Sequence, residues 1–171
     1  LYRILYIPGL ELKSSEAEPI RGDQDMRHDG IFCFTHLGID LVSIEVASEK
    51  TQARDTLKLA TTMSANLAKF HESVSLAREH ETGMYFVRNL STYGLFFNKL
   101  EVTFLETRVI HETKIVMVHK TYEGKIPANV GNIDGFVDLV SKMISFKDRV
   151  SRTMTSMGLL EDIENNISDT E

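Results

Sequence analysis

Between residues 49 and 79, apolar side chains recur at steps of three and four: Leu57, Ala60, Met63, Leu67, Phe70, Val74 and Ala77. That spacing places them on one stripe of a long amphipathic helix, and such a stripe must be covered by another layer of the fold. Ser48 can cap this helix, with Glu49 in the first turn, where a carboxylate meets the positive end of the helix dipole. Gly83 interrupts the pattern.

Tyr2 to Ile7 reads as a short strand closed by the breaker pair Pro8-Gly9. Residues 13–30 are polar, contain Pro19, Gly22 and Gly30, and have no period, which predicts a mobile arm or loop. Ile31 to Thr35 and Ile39 to Ala47 predict a hairpin around Leu37-Gly38, with Val42, Ile44 and Val46 alternating against Leu41, Ser43 and Glu45. Met84 to Val87 reads as a strand and Tyr93-Gly94 as the next break. Leu100, Val102 and Phe104 alternate with Glu101 and Thr103, and together with Ile115 to Val118 they predict an antiparallel pair. After a loop over residues 124–131, Phe136, Leu139, Val140, Met143 and Ile144 mark a helix started by Asn132 or Asp134. Phe146, Val150, Met154 and Met157 mark a second amphipathic stretch, stopped by Gly158. Residues 161–171 form an acidic tail expected to fray. The order describes one α+β domain over residues 1–171: a mostly antiparallel sheet with a long amphipathic helix and a C-terminal helical segment packed on one face. A chain of 171 residues can hide roughly two thirds of its unfolded surface, so it can support such a core.

Charge and motif content narrow the chemistry. The net charge of −6 argues against wholesale coating of nucleic acid. It is unevenly placed, because residues 83–131 hold six basic against four acidic side chains while residues 132–171 hold four against eight. No apolar run approaches the ~20 residues of a membrane-spanning helix, and the amino end lacks the layout of a signal peptide. His28, His36, His71, His80, His111 and His119 show no metal-ligand spacing, so no metal or cofactor is expected. Cys33 lies in the apolar run Ile31-Phe32-Cys33-Phe34 and reads as a core residue. Phosphate-cradling glycine loops and nucleophile elbows are absent, and the sequence suggests no enzyme. The two Asn-x-Ser sequons at Asn89 and Asn166 read as chance occurrences. The binding features are basic: Lys50, Arg54 and Lys58 at four-residue steps on the long helix, and Lys114, Lys120 and Lys125 around the later hairpin. Both sets could contact anionic lipid or RNA.

Lys99-Leu100-Glu101-Val102-Thr103-Phe104, then an apolar helix, then Phe146-Lys147-Asp148-Arg149, Met154 and Met157 to Asp162 resemble the closing part of rhabdovirus matrix proteins. The upstream order is similar too, with an aromatic strand at Gly30 to Phe34, an Ala-containing helix at Leu57 to Ala77 and a strand at Met84 to Leu90. The size is closest to the compact, cytorhabdovirus-like members that infect plants. The resemblance implies a non-enzymatic viral structural protein that self-associates, condenses the nucleocapsid and links it to the anionic inner leaflet of the envelope. It implies a virion and host-cytoplasm location, peripheral to membrane, with host factors as further partners. The membrane-inserting loop of that family is matched best by the apolar stretch with Leu95, Phe96 and Phe97. The chain departs from the pattern in being acidic and in lacking a Pro-Pro-x-Tyr motif; a basic tail before Leu1 would reconcile the first. A cytosolic protein-protein adaptor and an RNA-binding replication accessory protein are the alternatives.

Overall fold

The computed structural model describes residues 6–17, 28–48, 50–74, 81–110, 115–128 and 133–168. Its elements are β1 (Leu10–Ala17), β2 (His28–Phe34), β3 (Ile39–Ala47), α1 (Gln52–Ser73), α2 (Glu81–Val87), β4 (Ser91–Asn98), β5 (Glu101–Ile110), β6 (Ile115–Lys125) and α3 (Ile133–Ser168). The six strands lie in chain order across one sheet. All neighbours are antiparallel except β3 and β4, which are parallel from Val42 beside Tyr93 to Ala47 beside Asn98. Parallel neighbours need a crossover rather than a hairpin, and the stretch containing α1 and α2 supplies it. The mixed α and β content, the mostly antiparallel sheet, the predicted long helix and a C-terminal helix are therefore present.

The two long helices take opposite faces of that sheet. Thr92 Oγ1 donates to the Met63 carbonyl of α1 at 2.7 Å, whereas the hydroxyl of its neighbour Tyr93 donates to the Arg149 carbonyl of α3 at 3.0 Å. Successive side chains of a strand point to opposite faces, so these two bonds assign α1 to one side and α3 to the other. On the α3 side, Leu95, Phe97, Val102 and Phe104 meet Leu139, Met143 and Phe146. The Phe146 ring lies 5.0 Å from Phe104 and 5.5 Å from Tyr93. On the α1 side, Ala47, Phe96 and Leu105 pack on Leu59 and Met63. The sequence predicts both helices on one face; a covered second face is why β4 reads as a nearly continuous apolar run instead of an alternating one.

Several boundaries differ from the sequence reading for identifiable reasons. The first strand begins at Leu10, after the turn at Pro8-Gly9, where Gly9 has φ of 81°. Residues 13–17 and 28–30 of the expected arm are strand, and residues 18–27 lie outside the described residues, as do 2–5. Met84 to Val87 belongs to α2; a four-residue apolar run carries no period that separates strand from helix. Helix α1 begins after Thr51, whose hydroxyl is engaged with Ser48, so the start lies three residues beyond the expected cap. Leu57 is 69% exposed while Leu59 is fully buried, because six residues from Leu57 to Met63 turn a helix by about 600° and put Leu57 on another side. Helix α3 runs through Gly158 to Ser168 without a stop, so the predicted break and most of the predicted frayed tail are helical; residues 169–171 lie outside the described residues. A glycine inside a helix weakens it by about 1 kcal/mol but does not end it, and the burial of Met157 and Leu160 holds both sides of it in place.

Candidate functional site

Helix α3 presents Arg149, Arg152, Thr153 and Ser156, spaced i, i+3, i+4 and i+7, on a single polar stripe. Helix α2 packs against α3 and brings up Tyr85 and Phe86, while Arg108 arrives from the far end of β5. Between them lies a cleft of about 510 Å³, lined by these residues together with Asn89, Ser151 and Thr155. That volume is in the usual range for small-molecule sites, roughly 300–1,000 Å³. Among the described residues its lining has three guanidinium groups and no carboxylate.

Two of these guanidinium groups, those of Arg108 and Arg149, are aimed from below by Glu106, which is 1% exposed. Arg108 donates to Glu106 Oε1 through Nε at 2.8 Å and approaches it through Nη2 at 2.7 Å. Arg149 Nη1 donates to Oε2 at 3.2 Å and its Nη2 to Thr121 Oγ1 at 3.2 Å. Ser91 Oγ adds a bond to Oε1 at 3.0 Å, and His119 Nε2 stands 3.8 Å from Oε2. A guanidinium has five N–H donors, so both arginines keep donors beyond those spent on the carboxylate. One carboxylate against three guanidinium groups leaves the cleft positive. Beneath it, burial pushes the Tyr93 hydroxyl up to about 12. That hydroxyl is also 2.8 Å from Thr153 Oγ1, which ties β4 to the arginine-bearing turn of α3.

A second buried polar cluster lies under α1. His28 Nδ1 contacts Glu45 Oε1, His28 Nε2 is 2.9 Å from Thr62 Oγ1, and Lys58 Nζ reaches Glu45 Oε1 at 2.7 Å. Hydroxyl, imidazole and carboxylate stand in the order of a nucleophilic triad. All three are buried, however, so a substrate has no route to the hydroxyl in this conformation, and the cluster ties β2 and β3 to α1.

The basic residues chosen from the sequence fall on separate surfaces. Lys50 and Arg54 are exposed at the amino end of α1, but Lys58 is engaged by Glu45 and leaves their row. Lys120 pairs with Glu123 at 2.7 Å, Lys125 stands 4.0 Å from Glu101, and Lys114 lies outside the described residues. The apolar contact candidates are corrected: Leu95 is 1% and Phe96 5% exposed on opposite faces of a strand covered by both helices, and Phe97 packs against the core, so none is placed to enter a membrane. Cys33 is buried, and burial, more than the nearby Asp40, pushes its thiol up. Among the described residues no group of three or more His, Cys, Asp or Glu side chains could hold a metal ion, and no helix is long and apolar enough to cross a membrane. Sequence reasoning missed the arginine cleft. Its one local signal was the polar i, i+3, i+4, i+7 stripe of α3, which the apolar stripe of the same helix overshadowed. No family model, curated protein or solved structure matches this chain.

Proposed function

We propose that the chain is a non-enzymatic structural protein of the viral matrix type, one that self-associates and holds a phosphate-rich partner, the ribonucleoprotein nucleocapsid, at the inner face of an envelope. The observation that supports an anionic partner is the arginine cleft, whose lining has three guanidinium groups and no carboxylate among the described residues. A local field of this kind outweighs the chain's net charge of −6, because charges more than about 8–10 Å away are screened at physiological salt. The viral setting, the virion and host-cytoplasm location and the peripheral membrane contact rest on the resemblance to rhabdovirus matrix proteins. Self-association has a physical route in the sheet: among the described residues no strand covers the outer side of β1 or β6, and an open strand edge is a template for pairing with another copy.

Two measurements test this reading. Affinity for a single-stranded RNA oligonucleotide is expected to fall linearly as salt rises on logarithmic axes, with a slope reduced by about 1 in Arg152→Glu. Light scattering at low ionic strength is expected to grow with protein concentration. Salt-independent binding, or a chain that stays monomeric throughout, overturns the proposal in favour of an adaptor.

A further inference from the structure

The cleft holds more than an anion site requires. Phosphate alone needs donors, and Arg149, Arg152 and the hydroxyl of Ser156 supply them. The opposite wall is aromatic. Tyr85 is 68% exposed, a large ring left in water beside three guanidinium groups. Its orientation is set: the Phe86 ring meets it edge to face, 5.5 Å between centroids at 81°, and Asn89 Nδ2 closes the last turn of α2 on the Tyr85 carbonyl at 2.9 Å. The face of an exposed ring costs solvation and, unlike its hydroxyl, gives nothing to a bare anion, whereas it offers a stacking surface to a planar heterocycle.

We propose that the cleft takes a nucleoside phosphate, with the phosphate on Arg149 and Arg152 of α3 and the base stacked on Tyr85 of α2. The inference rests on the anion-binding reading above and adds a base subsite to it. Glu106 serves as a positioning residue, because it fixes the guanidinium planes of Arg108 and Arg149 before any ligand arrives. The same chemistry is presented by a free nucleotide and by one residue of an RNA strand.

Calorimetric titration of the full chain with adenosine 5′-monophosphate and with ribose 5-phosphate, which carries the phosphate without the base, separates the two ideas. The nucleotide is expected to bind about tenfold more tightly than the sugar phosphate, as a single base stack allows. Tyr85→Ala should remove that difference while leaving ribose 5-phosphate binding unchanged, and Arg152→Glu should weaken both ligands. Both side chains are exposed, and an unchanged melting curve for each variant confirms that the fold is intact. An oligonucleotide that displaces the nucleotide assigns the source to RNA; a nucleotide that binds without being displaced assigns it to the free metabolite. Equal affinity for the two small ligands overturns the base subsite and leaves the anion site standing. Failure of both, and of the oligonucleotide, to bind overturns the anion site as well.

Discussion

Tyr93 occupies a position where one hydroxyl joins a central strand to the helix of the cleft, and its chemistry gives a pH dependence with a definite sign. Burial is the largest cause raising it from 10.0 to about 12, so the fold favours the neutral phenol. Its contribution to stability is therefore fully present below pH 10 and is lost as pH rises from about 10 to 12, a change on the order of 2–3 kcal/mol. Ultraviolet titration of tyrosinate is expected to show Tyr93 ionising last, with Tyr122 also late because of burial and the nearby Asp138. Tyr93→Phe should remove that final step and flatten the fall in stability; a step that survives in the variant contradicts the assignment. At this scale the sequence was legible where a residue sits inside a strong local pattern. Cys33 reads correctly as core from its apolar neighbours, but Leu95 and Phe96 read as a surface candidate, because a burial fraction depends on what covers a strand and not on the strand itself.

Helix α1 lies close to the sheet over Gly94, and the contact makes a prediction about elements. A Cβ at this position would stand 2.6 Å from Met63 Sδ, 3.1 Å from Leu59 Cδ2 and 3.2 Å from Leu59 Cγ. The methionine end can swing away, but Leu59 is fully buried and has no open space into which its branched end can rotate. Gly94→Ala is expected to destabilise the protein by about 1–3 kcal/mol, read as a lower denaturant midpoint with an unchanged slope. A midpoint equal to that of the parent contradicts the close packing. The sequence marks Tyr93-Gly94 as a break between elements, whereas the pair lies inside β4, where glycine permits close approach of another backbone. The long helix and the hairpin of β2 and β3 were legible because each carries its own period and its own turn, with Gly38 at φ of 62°. Helix α2 was not, because seven residues with an apolar run hold too little periodicity to choose between structures.

Across the whole molecule, Glu106 couples β4, β5, β6 and α3 and also sets the field of the cleft, so one substitution has two opposite consequences. Glu106→Gln is expected to cost on the order of 2 kcal/mol, less than the ~3–5 kcal/mol of a fully buried broken pair, because the amide keeps an acceptor and Arg108 reaches solvent. It removes the negative charge that competes for Arg108 and Arg149 while the amide oxygen still positions a guanidinium, so affinity for ribose 5-phosphate should rise several-fold in the folded variant. Chemical denaturation and the same titration check both signs; weaker anion binding contradicts the electrostatic account. The pair behind this coupling, Glu106 and Arg149, is 43 residues apart in the chain, a separation at which no helical or strand period relates two side chains. The amino-acid sequence by itself determined the strands and helices that carry their own period, the mixed class of the domain and the core role of Cys33, since each depends on contacts made within a few residues. Only the tertiary structure decided that the two long helices lie on opposite faces, that Lys58 is engaged by Glu45, and that three arginines converge on one cleft. A strand's alternation states that two faces exist, but long-range packing alone selects what covers each of them.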